Sequence, residues 1–592
     1  MPAMRNIEFS GKEWILVALL ILLTAGRFIF PEADPSLFKE TGNIHDEAWW
    51  AENARQKILF DRWMGDDYAG ALAVAPISVA LFYCLFKLFG ISFLSMRLIA
   101  LIPSVLSLFV VFWLNERKGS NKFLAPLLLA SSPLFFDWSR IGQLESLIGF
   151  VFLIALVTGK KESMTAALIT GVIAAIGMQV KGSFFYLVIP LGIWACQKNQ
   201  RFNWPKGITF FIGFTVISTG FYLLYYLPSA SLFEPYYRVF SSQYYSLGQL
   251  LDPAGWVLRI MYLPEKPFLN DPLAALTVII LVFRWILGYA PVKRFSYSML
   301  LLIYCVMILC SDLSEQKFIP LLFLMPLAFT EEVETSKRSS ASVFFAILLF
   351  LTPLIPFLVK APGITQLTLE NSLRWNNPLL LGFLGLSAII LILWLVLKKI
   401  KRESSWGKTI LVMSGAIWSA IVVYRLVNRH AFHAGVAFVA IYFIVLGLVV
   451  LMIWQLKRNL RVAPLAASLI VSGTLVMTFQ LFTGRYQVRD AAHFLKINGK
   501  RGEYATGPPS AFSLTFLSKV TPLYYFDETM KSGRLLTKDS ISWYCAITDV
   551  NAGVSLNNEQ LQKLHNFNED EFRQTITFPV YNSRETAVIT RR

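Results

Sequence analysis

Apolar runs of about 15–21 residues recur between positions 14 and 482, and short polar breaks rich in Lys and Arg separate them. Placing spans by length and loops by polarity predicts helices over 14–30, 96–114, 123–136, 146–158, 164–180, 183–196, 207–227, 272–288, 296–311, 318–330, 341–359, 377–397, 409–427, 436–454 and 462–482. The apolar stretch 71–90 is read as lying along the outer interface, because counting it as a span would invert every later loop. Beyond 482 the rhythm changes. "YQVRDAAHFLKING" reads as an amphipathic helix, and "LTFLSKVTPLYYF" and "SISWYCAITDV" read as strands. The pattern predicts a polytopic α-helical membrane protein of about 13–15 spans over 1–482, followed by a small extracytoplasmic α/β domain over 483–592.

Composition strengthens the membrane reading. Of 592 residues 55% are hydrophobic and only 15% charged, with a mean hydropathy of +0.55. A soluble chain carries roughly 25% charged residues. The excess of 54 Lys and Arg over 37 Asp and Glu gives a net charge of +17, with no basic patch on a soluble module of the kind that binds nucleic acid. Cys84, Cys196, Cys305 and Cys310 lie in apolar segments and only Cys545 in the polar tail, so no disulfide framework is implied. The first apolar run leads into acidic sequence without a small-residue cleavage site, and is read as a retained span.

Charge then orients the chain. The short segments 1–13, 115–122, 159–163, 197–206, 289–295, 331–340, 398–408 and 455–461 hold 22 Lys and Arg, whereas the short connections on the other side hold six. Basic residues are retained in cytoplasmic loops, so the N-terminus is expected inside and the tail outside. Three regions face outward in bulk on this topology: the loop 31–95, the aromatic-rich loop 228–271 and the tail. Asp46, Glu47, Arg97, Arg140, Glu145, Lys181 and Lys317 all fall at outer helix ends. A lone ionisable residue beside a span is usually a cap or a snorkelling side chain. Seven gathered on one side suit a site for an anionic lipid headgroup, with bases holding a phosphate and a carboxylate taking a proton from an incoming hydroxyl.

The order of motifs carries a resemblance. After the first span come "HDEAWWAENAR", "APISVALFYCLFKLFGISFLSMRLIALIPSVLSLFVVFWL", "LLLASSPLFFDWSRIGQLES", "LITGVIAAIGMQVKGSFFYLVIPL" and "LSEQKFIPLLFLMPLAF". This resembles the C-type, polyprenyl-phosphate-sugar-dependent membrane glycosyltransferases, in the bacterial branch of the lipid A aminoarabinose transferases and protein O-mannosyltransferase-like enzymes. The resemblance implies catalytic roles for Asp46, with Glu47 beside it, and for Glu145, and implies donor-phosphate or headgroup contacts from Arg97, Arg140, Lys181 and Lys317. Relatives usually carry "KPP" where this chain has "GALAVAP" with Pro76 retained, so one base is missing. Gln143 and the long Glu145 also depart from a commoner short acid.

The implied reaction moves one sugar from a membrane-embedded polyprenyl monophosphate to a lipid, glycan or protein acceptor at the outer face, by single displacement with inversion. The implied compartment is a bacterial inner membrane. No cofactor is implied with certainty, and two or three carboxylates facing one cavity could hold a divalent metal through oxygen. His430 and His433 offer an i, i+3 pair, with no nearby acid or cysteine to complete a site. The alternative from another class is a transporter or flippase for lipid-linked saccharides. Transporters usually place charge near the midplane and show internal repeats, and neither feature is apparent here.

Overall fold

The computed structural model describes residues 10–33, 42–64, 70–115, 119–198, 201–241, 296–309, 315–332, 487–506, 510–522, 541–549, 574–579 and 585–591, with single positions at 273 and between 469 and 481. The chain divides into two compact units. One comprises Met1–Lys266, Val292–Glu332 and Met477–Arg592, and the other Pro267–Pro291 and Val333–Val476. Nearly all described residues belong to the first. The expected spans at 272–288, 341–359, 377–397, 409–427, 436–454 and 462–482 lie outside the described residues apart from those single positions, and so do His430 and His433.

The helices are α1 (Gly11–Ala25), α2 (Gly42–Phe60), α3 (Gly70–Val74), α4 (Pro76–Phe89), α5 (Phe93–Leu114), α6 (Leu124–Ala130), α7 (Pro133–Trp138), α8 (Glu145–Gly159), α9 (Met164–Val180), α10 (Phe185–Ala195), α11 (Trp204–Phe221) and α12 (Ala230–Ser241). After these come α13 (Tyr297–Leu309) and α14 (Glu315–Glu332). Their starts are written in the sequence. Ser10, Ser92, Ser132, Ser163 and Asn203 each accept a backbone N–H in the first turn that follows, which satisfies a donor the helix itself leaves open. The single span expected over 123–136 is instead two short helices, because Ser132 caps and Pro133 opens a new one. The stretch 71–90 likewise breaks at Ala75, where Pro76 starts α4. Among the described residues, Phe93–Leu114 and Trp204–Glu234 are long and apolar enough to cross a membrane, and shorter apolar helices such as Glu145–Gly159 and Met164–Val180 stand among them.

The tail contributes α15 (Gln487–Asn498), α16 (Ser510–Thr515) and five strands. β1 (Gln197–Lys198) and β2 (Arg201–Phe202) form a separate small hairpin. The tail strands β3 (Tyr504–Thr506), β4 (Thr521–Pro522), β5 (Ile541–Asp549), β6 (Gln574–Pro579) and β7 (Glu585–Arg591) make one sheet in the order β4-β3-β5-β7-β6. β3 runs parallel to β4 and β5, while β7 is antiparallel to β5 and β6, with Cys545 opposite Ile589. In α15, Val488, Ala491, Ala492 and Leu495 are buried at helical spacing, as the sequence pattern requires. Over the described part of the strand expected at 514–526, Leu514 and Thr515 end a helix, a turn follows, and Thr521–Pro522 pairs with β3. Ser518 makes that turn by donating to Thr515 O and accepting from Val520 N, a local geometry that competes with a ladder.

Glycine sets the closest helix packing. A Cβ on Gly171 of α9 would lie 2.0 Å from Phe210 O of α11, and one on Gly213 would lie 2.4 Å from Leu168 O. Small residues let membrane helices approach to this degree, and here both partners are backbone atoms that cannot rotate away. Gly171→Ala is therefore expected to cost about 1–3 kcal/mol. Gly220→Ala, also in α11 but with nothing within 4 Å, is expected to be neutral or slightly stabilising. Thermal midpoints of the two purified variants in one detergent check this.

Candidate active site

The site grows from α2. This helix is polar along most of its length, yet Glu47, Trp50, Glu52, Asn53, Arg55 and Gln56 are all buried. Burial at such a cost requires partners, and Glu47 has two. Arg97 of α5 grips its carboxylate bidentately, with Nη2 to Oε1 at 2.8 Å and Nε to Oε2 at 3.1 Å, and the Gly142 N–H donates to Oε2 at 2.8 Å. Glycine is needed at 142, since a Cβ there would meet Met96 Cγ at 2.9 Å. Arg97 Nη1 donates to Pro31 O at 2.9 Å and to Ala33 O at 2.6 Å. Four donor contacts to protein oxygens and 1% exposure thus tie Arg97 to Glu47 and to the first loop.

A second cluster lies one helical turn along α2. Lys181, the residue that ends α9, forms a close ion pair with Glu145, the first residue of α8. Each charge sits at the helix end whose dipole favours it. The Lys181 ammonium lies 4.5 Å from the Trp50 ring centroid, and Trp50 Nε1 donates to Gln143 Oε1 at 3.0 Å. Lys317, in the first turn of α14, is 5.8 Å from the Tyr186 ring and within electrostatic reach of Lys181. Tyr304 donates to Lys317 O at 2.8 Å. Glu145 Oε2 is buried without a hydrogen-bond partner among the described residues. Two ammonium groups, one carboxylate with an open acceptor and the Trp50 and Tyr186 ring faces make a cluster with net positive charge, which suits an anion that carries hydroxyls.

Arg140 reaches the loop that follows α1. Its Nη2 donates to Ile29 O at 2.9 Å and Phe30 O at 2.5 Å, and its guanidinium lies 4.7 Å from the Phe136 ring. Arg27 flanks the same ring at 5.7 Å and donates to Leu23 O and Ala130 O. Asp46 adjoins Glu47 on α2, and its side chain is outside the described residues. Of the seven residues read from sequence, the structure thus joins Glu145, Lys181 and Lys317, pairs Glu47 with Arg97, and puts Arg140 on the loop after α1. Trp50, Gln143, Tyr186 and Tyr304 complete the pocket. Only their aromatic or amide character next to ionisable neighbours could have drawn attention to them. Among the described residues no group of three or more His, Cys, Asp or Glu comes together to hold a metal ion.

Residues 73–225 match the family described as dolichyl-phosphate-mannose-protein mannosyltransferase. That span contains Arg97, Arg140, Glu145 and Lys181, and leaves Asp46, Glu47 and Lys317 outside it. No curated protein sequence matches the chain. The fold resembles that of ArnT from Cupriavidus metallidurans bound to undecaprenyl phosphate, with a TM-score of 0.51 and 13% identity over 98% of each chain. The apo form of the same protein aligns at 0.49 and 12% identity over 97% of each chain. The chain therefore has the C-type glycosyltransferase fold that its motifs suggest.

The Glu47–Arg97 pair gives a direct test. Removing one partner of a buried ion pair strands the other charge, which costs about 3–5 kcal/mol. Glu47→Leu and Arg97→Leu are each expected to lose that much, while the double variant loses clearly less than the sum. Thermal midpoints of the three variants and wild type, measured in one detergent, form the cycle.

Proposed function

We propose that this protein is an integral membrane glycosyltransferase of the bacterial inner membrane. It would transfer a single sugar from a polyprenyl-monophosphate donor to a lipid, glycan or protein acceptor at the extracytoplasmic face. The observation that carries the proposal is the pocket in which Lys181 and Lys317 gather beside Glu145 under the faces of Trp50 and Tyr186. The match over 73–225 to a family named for a lipid-phosphate sugar donor supports it, and so does a fold shared with a protein crystallised with undecaprenyl phosphate.

In the proposed reaction the acceptor hydroxyl attacks the anomeric carbon from the face opposite the phosphate. A new C–O bond forms as the bond from that carbon to the phosphate oxygen breaks, and the configuration inverts. Polyprenyl phosphate leaves with the electron pair, and Lys181 and Lys317 stabilise the charge it gains in surroundings that screen poorly. Asp46, one residue from the anchored Glu47, accepts the hydroxyl proton. An acceptor that is itself a phosphate needs no strong base, and Asp46 then acts by position. Glu145 keeps the Lys181 ammonium in place and presents its open oxygen to a sugar hydroxyl. Glu47 and Arg97 hold α2 and the first loop. The N-terminus is cytoplasmic and the α/β tail extracytoplasmic in this reading, consistent with the bias of basic residues.

The test is transfer by purified protein in liposomes, with radiolabelled polyprenyl-phosphate sugars and a membrane extract as the source of acceptor. Asp46→Asn is expected to lower kcat by about 10²–10⁴-fold. Lys181→Met is expected to raise the donor KM by about 10–100-fold, the loss of one charged contact. Lipid-linked sugar that crosses the bilayer without transfer would replace this proposal with a transporter. Equal transfer by wild type and Asp46→Asn would keep the enzyme and remove Asp46 from its role.

A further inference from the structure

The helix that carries Glu47 and Trp50 is held at its other end by the tail. Arg55 is fully buried, and its guanidinium converges on one turn of the tail. Nε donates to Phe516 O at 2.8 Å, and Nη2 approaches Ser518 O at 2.5 Å, Val520 O at 3.0 Å and Thr515 O at 3.3 Å. These carbonyls include the end of α16, where a helix leaves acceptors unfilled and carries partial negative charge. Nη1 donates to Glu52 Oε1 at 2.7 Å, and Gln56 donates to the same oxygen at 2.6 Å, so the fork is fixed from its own helix as well. The turn is seated from the other side by Phe516, which is fully buried between Phe86 of α4 and Phe93 of α5 at ring separations of 5.8 and 5.6 Å. Phe93 in turn lies under the Arg97 guanidinium at 5.6 Å.

We propose that Arg55 is a positioning residue, through which the tail turn 515–520 sets the placement of α2 and thereby of Asp46, Glu47 and Trp50 in the active site. Arg55 lies two turns from Glu47, about 12 Å along the helix axis. Among the described residues, Glu47 and Arg55 each tie α2 through charge to elements distant in sequence, Glu47 to Arg97 and Arg55 to the tail turn. A rotation or slip at the Arg55 end displaces Trp50 from Lys181 and Asp46 from the acceptor. The tail therefore acts on the chemistry from a distance. This inference rests on the glycosyltransferase reading for its effect on turnover, but the coupling of α2 to the tail does not.

The experiment pairs transfer kinetics with hydrogen exchange on the full-length protein in liposomes, for wild type, Arg55→Lys and Arg55→Gln. Lysine keeps the charge and loses the fork, and glutamine keeps two donors and loses the charge. Both are expected to lower kcat, by about 10-fold for lysine and about 100-fold for glutamine, since a misplacement of about 1 Å has effects of that size. Donor KM is expected to stay within about threefold, because Lys181 and Lys317 are on other elements. Exchange protection is expected to fall at least tenfold over α2 and to be unchanged over α9 and α11. Wild-type turnover or wild-type α2 exchange in either folded variant overturns the proposal, and so does protection lost equally from α2, α9 and α11. If Arg55→Gln fails to insert, Arg55→Lys decides. If wild type transfers sugar from no donor, exchange alone decides the coupling, and the failure belongs to the functional reading.

Discussion

A carboxylate and a guanidinium taken out of water are stable only if each supplies what the other has lost, and Glu47 and Arg97 do this between the first loop and α5. Their bidentate contact leaves one carboxylate oxygen able to accept a second bond, which the Gly142 N–H fills, and leaves guanidinium donors for Pro31 O and Ala33 O. Three separate stretches of chain are thereby tied to one point. Trp50 is one turn away, and its ring meets Lys181 because Glu47 has already fixed the rotation of α2 about its axis. The pocket is thus downstream of the ion pair. Lys181 and Glu145 have their own helix ends to sit on, but the aromatic face above them arrives only with α2.

Arginines and lysines divide the work between them. Arg27, Arg55, Arg97 and Arg140 all donate to backbone carbonyls, and each joins segments distant in sequence. A planar fork of donors on a weakly hydrated cation suits that task, since carbonyls can be gathered without a full counter-charge. Lys181 and Lys317, each beside a ring face, carry instead a compact ammonium that can turn three donors toward whatever enters. Under the proposed function the lysines meet the phosphate and the arginines build the wall around it. In that proposal Arg97 and Arg140, which the resemblance groups with the lysines, act through the backbone they gather.

The helices within the described apolar runs were legible because length and polarity fix them, and the breaks at Ser132 and Pro76 show what such a reading overlooks. A cap and a proline reset the backbone without changing hydrophobicity. Glu145, Lys181 and Lys317 were legible for the opposite reason, as charges where the chain could not ignore them. Arg55 was invisible. It lies in a stretch of α2 with many polar neighbours, and nothing local separates a buried arginine from a solvated one when its partners are main-chain oxygens about 460 positions away. The turn that receives it was equally hidden, since "LTFLSKVTPLYYF" has the alternation of a strand until Ser518 folds back on Thr515.

The same charge logic bears on the base that is missing from "GALAVAP". Ala73, Val74 and Ala75 are buried there, and Val74 O is 4.0 Å from where a Cβ on Gly182 would lie, so this stretch runs against the Lys181–Gly182 corner. A lysine in it would add a third ammonium beside Lys181 and Lys317, where Glu145 is the paired carboxylate among the described residues. In poorly hydrated surroundings, three ammonium groups around one carboxylate repel strongly until an anion arrives. Two around one carboxylate can rest as they are. Under the proposed function, the apolar replacement spares the two lysines a third like charge and weakens the pull on a phosphate, so donor binding in this chain leans less on charge than in relatives that keep the third base.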